Sequence, residues 1–214
     1  MIKKIIRNLT PPIIYKCLSL ALHNTVSNEN KLFDGDDFLF KDSITKSDVY
    51  AEYGCGKSTI YVSKNFDIKV YSVESDIYWK RKILTITSNN KQVKIYYANL
   101  GNVGEWGKPK SYKKKDSFYI YTDWIWKQKF KPTIVLIDGR FRVCCFLTSL
   151  INAKEGTKII FDDYNNREFY HYIEKFLKPT KKYKRQSLFI VPKKKDLNVA
   201  EIKKSIASFR NVFD

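Results

Sequence analysis

An α/β domain, with a mostly parallel sheet and helices on both faces, is the fold this sequence predicts, and three observations carry it. Apolar runs rich in β-branched and aromatic residues recur at 48–53, 68–73, 93–97, 133–137, 157–161 and 187–191. Helix-compatible stretches lie between most of them, near 57–65, 76–88, 141–153 and 167–177, with another near 198–210. Strand–helix alternation at this spacing marks βαβ units. Ile134-Val135-Leu136-Ile137 is apolar without interruption, as a central strand buried on both faces must be.

Taken in order, residues 1–46 precede the alternation and are expected to form a helical extension. Pro11-Pro12 ends any helix begun before it and suits the first turn of one that follows. The apolar stretch 13–22 is interrupted by Lys16, is too short to cross a bilayer and lacks a small-residue cleavage site. Behind the basic start Met1 to Arg7 it is suited either to an anionic membrane surface or to packing on its own domain. Residues 47–214 then form one domain. A chain of 214 residues is long enough to bury roughly 70% of its unfolded surface. Residues 98–131 break the rhythm, and a connection that long inside a compact domain usually carries function.

Composition narrows the classes. A hydrophobic fraction of 43% with 15% aromatics gives a packed globule and not a disordered chain. Cys17, Cys55, Cys144 and Cys145 lack paired zinc spacing and make a poor disulfide framework, so reduced cysteines in a cytoplasmic protein are expected. The net charge of +18 attracts polyanions: nucleic acid, an anionic membrane face or an acidic substrate. Lysines concentrate in 108–131 and again in 178–195, where no acid occurs; solvated loops of a lysine-rich protein look the same.

Two nucleotide-binding mechanisms compete for Glu52-Tyr53-Gly54-Cys55-Gly56-Lys57-Ser58-Thr59. Gly56-Lys57-Ser58 ends a phosphate-loop frame that requires a glycine at 51 and finds Ala51. Such a loop offers bare amides and a lysine to phosphate, and Glu52 within it would oppose them. The other mechanism is a glycine turn at a strand's carboxyl end, where open α/β sheets bind ligands. Gly54 and Gly56 permit the tight turn, Glu52 ends the strand, and Glu74 ends the next strand twenty residues after Gly54. A carboxylate there accepts hydrogen bonds from ribose hydroxyls. The phosphate-loop mechanism has no use for Glu74. Gly54-x-Gly56 alone also fits a dinucleotide turn.

These residues, with Ser72-Val73-Glu74-Ser75-Asp76, resemble the class I methyltransferases that depend on S-adenosylmethionine (SAM). Gly104-Glu105-Trp106-Gly107, Ile137-Asp138-Gly139-Arg140-Phe141-Arg142 and Phe161-Asp162-Asp163-Tyr164 resemble, more narrowly, a small bacterial group associated with surface-polysaccharide synthesis. The resemblance spans about residues 48–192. It implies a Rossmann-like fold and a SAM site made of Glu52, Tyr53, Gly54, Gly56, Ser58, Thr59, Glu74, Ser75, Asn99, Leu100 and Asp138. Ser58 replaces a third glycine common in the family, and Asn99 replaces an acid, which weakens an adenine contact at 99.

Asp138 leaves the central strand at its ligand-facing end, where a carboxylate can take a proton from a methyl acceptor. Arg140 and Arg142 suit an anionic acceptor, although capping and local ion pairs would use the same residues. Asp138, Asp162 and Asp163 at adjacent strand ends suit Mg²⁺ through hard oxygen ligands; without a metal their repulsion raises one pKa and makes a better base, so Asp163 is a further candidate. His171 is a second candidate base, and Tyr164 and Trp106 candidate acceptor contacts. Aromatics interleaved with lysines in 98–131 suit a sugar or glycan acceptor, anionic or lipid-linked; the alternative is RNA or DNA, whose bases stack on the same rings. A non-catalytic basic binding module would leave Glu52 and Glu74 without a purpose.

Overall fold

The computed structural model describes residues 31–44 and 49–214; the apolar segment over 13–22, with its choice between membrane and domain, lies outside the described residues. The elements are α1 (Phe38–Ile44), β1 (Val49–Tyr53), α2 (Lys57–Asn65), β2 (Lys69–Glu74), α3 (Ile77–Ile86), β3 (Val93–Tyr97), α4 (Tyr119–Asp123), β4 (Ile134–Ile137), α5 (Arg142–Asn152), β5 (Lys158–Phe161), β6 (Lys181–Tyr183), β7 (Gln186–Ile190) and α6 (Val199–Phe209). They build a seven-stranded sheet in the order β3-β2-β1-β4-β5-β7-β6. The pairs from β3 through β5 are parallel, and β7 runs antiparallel to both neighbours. The chain winds from β1 to β3 in one direction and then returns to β4 on the other side of β1. Strand order therefore reverses between β1 and β4, which opens a crevice at their carboxyl ends.

The alternation of side chains along each strand divides the core between two faces. Ala51, Tyr53, Val73, Val135, Ile137 and Phe161 pack with Phe146, Leu147 and Leu150 of α5 and Ile202 of α6. Tyr50, Val70, Ile134, Leu136 and Ile160 pack with Phe40 and Ile44 of α1, Val62 of α2 and Ile83 of α3. Leu32 and α1, which fall within the stretch expected as an extension, are thus part of this core. β4 is buried along its whole length, as its unbroken apolar run requires. No described helix is long and apolar enough to cross a membrane.

Three local expectations changed. The stretch near 167–177 is a 3-10 segment, Glu168–Lys175, not an α-helix. Its residues are indifferent helix formers, and the two it buries, Tyr170 and Ile173, are one 3-10 turn apart. β6 went unforeseen because Lys181-Lys182-Tyr183 shows no apolar alternation, as suits a charged edge strand. Residues 98–131 hold short 3-10 turns and α4, and they bury Phe118, Tyr121, Ile125 and Trp126. Trp124 stacks on Tyr96 at 5.0 Å. Much of that aromatic content is core; Trp106, Tyr112, Tyr119 and Phe130 are the exposed rings of the segment.

Candidate active site

The parallel ladders bring the strand ends level. Beyond each last pair the backbone continues by one hydrogen bond: Gly54 N–H to Val73 O (2.9 Å), Asp138 N–H to Tyr53 O (3.2 Å), Asp162 N–H to Ile137 O (3.0 Å) and Ala98 N–H to Glu74 O (2.8 Å). Glu74, Gly54, Asp138 and Asp162 therefore stand in one row along the carboxyl edge of the sheet.

The row is tight at its centre. Gly54 has φ +88°, and a Cβ on it would lie 3.0 Å from Gly139 Cα. A Cβ on Gly139 would lie 2.8 Å from Gly54 N and 2.0 Å from the Tyr121 hydroxyl. The two turns touch backbone to backbone, so both positions require glycine. Tyr121 also accepts the Arg140 N–H at 3.1 Å. Over Gly56 the surface is open: a Cβ there would meet nothing nearer than Trp79 Nε1 at 4.0 Å.

Glu52 is fully buried. Its carboxylate accepts Tyr50 Oη (2.7 Å), Ser58 Oγ (2.6 Å) and the Thr59 hydroxyl, and Thr59 Oγ1 in turn accepts Gly56 N–H at 2.8 Å. Burial pushes Glu52 up to about 7, against the pull of these hydroxyls. Glu52, Ser58 and Thr59 thus brace the turn from behind and present no free group to a ligand.

Glu74 is buried at the end of β2 and receives Ser75 N–H (2.6 Å) and Asp76 N–H (2.8 Å) on Oε1, and Cys55 N–H (3.2 Å) on Oε2. Burial raises its pKa, and these amides hold it down. The Gly104–Gly107 turn lies against it. Ser75 Oγ donates to Gly107 O at 2.8 Å, and a Cβ on Gly107 (φ +71°) would fall 2.3 Å from Ser75 Oγ and 3.1 Å from Glu74 Oε1. Trp106, before it, is 81% exposed and held at φ +57°, a conformation costly for a bulky residue and typical of functional turns.

Asp138 binds Arg142 Nη2 through Oδ1 at 3.1 Å, and its side chain is one-third exposed. Burial pushes its carboxyl up to about 8, Arg142 pulls it down, and the neighbouring Asp162 pushes it up again by charge and hydrogen bonding. Water at the open side tempers the burial, while Asp162 still raises the pKa.

Several candidates are placed elsewhere. Tyr53 lies in the core, its hydroxyl bonded to Thr122 O at 2.8 Å and to Trp126 Nε1 at 2.9 Å, so only its backbone serves the row. Leu100 is buried in the core, whereas Asn99 is exposed and accepts Gly101 N–H at 3.1 Å. Tyr164 is buried, its hydroxyl on Glu174 Oε1 at 3.0 Å, and His171 Nε2 contacts Tyr164 O at 3.1 Å; both belong to the flank and neither faces Asp138. The Arg142 guanidinium is not free for an acceptor. It is 4% exposed and spans Asp138 and Asp163, with Gly139 O at 3.0 Å and Asp162 O at 2.7 Å.

The metal expectation meets the same arginines. Asp162 is fully buried and held by Arg185 Nε at 3.1 Å and Gln186 Nε2 at 3.0 Å. Asp163 pairs with Arg142, Arg167 and Arg185. Guanidinium groups thus fill the oxygens that Mg²⁺ would need, and no group of three ligand side chains among the described residues could hold a metal ion. Sequence reasoning missed Arg185, Tyr121 and Tyr170. Each acts across a long sequence separation, and no local spacing announces it.

Two surface hollows lie away from this row, one at the amino edge near Asp67 and Gln92 and one between α5 and α6 near Asn152 and Arg210. Neither contains a glycine turn or a row carboxylate.

Among solved structures, the chain resembles a methyltransferase-like protein from Silicibacter pomeroyi, with 31% identity and a TM-score of 0.66 over 75% of this chain and 88% of that one. The N-methyltransferase NodS from Bradyrhizobium japonicum, solved with S-adenosylhomocysteine, shares the fold at 10% identity, TM-score 0.52, over 84% and 98% of the two chains. A methyltransferase from Geobacter sulfurreducens does so at 13% identity, TM-score 0.50, over 90% and 97%. No protein-family model and no curated protein sequence matches the chain. With the strand order, the level row of Glu74, Gly54 and Asp138, and this identity across most of a relative's length, the chain belongs to the class I methyltransferases and is a SAM-dependent enzyme.

Proposed function

We propose that the protein methylates a hydroxyl of a sugar or glycan intermediate of cell-surface polysaccharide, on the cytosolic face of the membrane. The observation that carries the reading is the row itself: a buried carboxylate with one oxygen lightly engaged, an open glycine turn and a one-third-exposed carboxylate at the same level along the sheet edge. Bound SAM supplies a methyl group activated by its sulfonium. Glu74 Oε2 has a single amide donor and keeps acceptor capacity for a ribose hydroxyl. Gly54 and Gly56 let the backbone come close, and exposed Asn99 follows β3 on the other side of Glu74. Asp138, with its pKa raised, is the base that receives the acceptor's proton, and Arg142 fixes its orientation. Exposed Trp106 offers a flat face to a sugar ring, beside exposed Lys108, Lys110, Lys113 and Lys114.

RNA or DNA is the second reading, favoured by the same exposed Trp106 and Tyr112 among lysines, since bases stack on such rings. The cofactor seat is tested by calorimetry with SAM. Wild type should bind, and Glu74→Ala should bind at least about tenfold more weakly, the loss of about one hydrogen bond to a charged group. Absence of SAM binding in wild type sinks the assignment of this row.

A further inference from the structure

We propose that the turn between β4 and α5 is an oxyanion subsite for a carboxylate or phosphate on the acceptor, and that Asp214 fills it from within the chain. The inference rests on the methyl-transfer reading for the word acceptor, but the subsite itself stands on its own geometry. Donors from separate places converge on this one residue. The Arg142 main-chain N–H donates to Asp214 Oδ1 at 3.2 Å. The Tyr170 hydroxyl donates to Asp214 Oδ2, and Arg140 Nη1 donates to the Asp214 carbonyl. Arg140 Nε, beside them, is buried without a partner. The Arg140 guanidinium, a hydroxyl and an amide at the start of an eleven-residue helix make an environment that favours an anion.

Asp214 is held there by its neighbour. Phe213 packs on Tyr112 at 4.9 Å, Phe118 at 5.8 Å and Phe141 at 6.0 Å. Phe213-Asp214 thus straps the 98–131 segment to the turn that carries Asp138. Phe141, the residue before α5, is held at φ +56°, and these rings pin it. The strap's last residue, through its carbonyl, also holds Arg140, the arginine of this turn whose side chain pairs with no side-chain carboxylate among the described residues. The buried Arg142 guanidinium serves as a strut, so an acceptor would meet Arg140, the Arg142 amide and Tyr170. An anionic acceptor must displace the Asp214 carboxylate to take the Arg142 amide and the Tyr170 hydroxyl, and must compete with the Asp214 carbonyl for Arg140.

The test titrates inorganic phosphate and acetate into wild type, Asp214→Ala and Asp214→Asn, read by calorimetry, with Asp116→Ala as control. Asp116 is an exposed acid of the 98–131 segment, so its removal reports the charge change alone. Asp214→Ala should bind phosphate or acetate at least about tenfold more tightly than wild type, the effect of freeing charge-assisted donors, and Arg140→Gln in that background should remove the gain. Preference for phosphate would mark a phosphorylated acceptor, and preference for acetate a carboxylated one such as a uronate. Equal affinity in wild type and both Asp214 variants overturns the subsite, as does an equal gain in Asp116→Ala. Asp214→Asn keeps the shape, so a folding failure of the alanine variant leaves the question decidable. SAM affinity, measured on the same proteins, should stay within about twofold; its absence in wild type would undo the cofactor seat without touching the phosphate result.

Discussion

Asp138, the proposed base, combines an ion pair with a raised pKa. Arg142 holds one of its oxygens, while burial and the close Asp162 carboxyl raise its pKa to about 8. A base must be unprotonated to act, so methyl transfer should fall about tenfold per pH unit below that value and level off above it. Asp138→Asn should lower the rate by about 10²–10⁴-fold, abolish that acid limb and leave SAM binding intact, because Arg142 keeps Asp163. The profile of kcat/KM against pH with a glycan acceptor checks this; a limb that persists in Asp138→Asn assigns it to another group. Glu52, by contrast, spends its charge inside the protein. Its hydroxyl partners fill the carboxylate, and it acts by positioning Ser58, Thr59 and the turn.

At the scale of elements, the site is a meeting of two turns. The turn after β1 and the turn after β4 approach so closely that neither Gly54 nor Gly139 has room for a methyl group. Gly139→Ala should force Tyr121 and the Gly54 turn apart. Overpacking of this kind costs about 1–3 kcal/mol, and Tm at this size moves about 2–4 °C per kcal/mol. Because Gly54 shifts with it, SAM affinity should fall together with Tm. Calorimetry and thermal melting on the one variant check both; lower Tm with full SAM affinity would separate the Gly139 contact from the cofactor turn. The Gly104–Gly107 turn follows the same logic, lying on Ser75 and Glu74 where only a glycine fits.

Over the whole molecule, the net charge of +18 bears on how an acceptor arrives. A polyanionic acceptor releases counterions: log affinity falls with log salt by about 0.7–0.9 per phosphate neutralised. A glycan carrying one or two charges should give a slope of about one to two, a neutral glycan almost none. Acceptor binding measured across a salt series checks it. A slope near five or steeper would turn the assignment to RNA or DNA.

Much of the fold is legible in the order of the residues. The strand runs at 48–53, 68–73, 93–97, 133–137 and 157–161 each predict an observed strand to within a residue or so, because strand periodicity and turn residues are local signals. The order of the glycine turn, Glu74 and Asp138 is legible for the same reason. The 3-10 segment and β6 are not, since one lacks a strong propensity and the other an apolar pattern. Nor does spacing reveal which side chains are free. Arg142, Asp162 and Tyr164 look available in sequence and are consumed by Asp138, Arg185 and Glu174.

The α/β alternation, the glycine turn and the carboxylates at the strand ends follow from sequence, because each depends on residues within a few positions of one another. Three features needed the folded chain: Glu52 faces inward, arginines fill the would-be metal ligands, and Asp214 lies against Arg142, 72 residues away. Such pairings depend on where distant backbone segments meet, and proximity across the fold leaves no periodic trace along the chain.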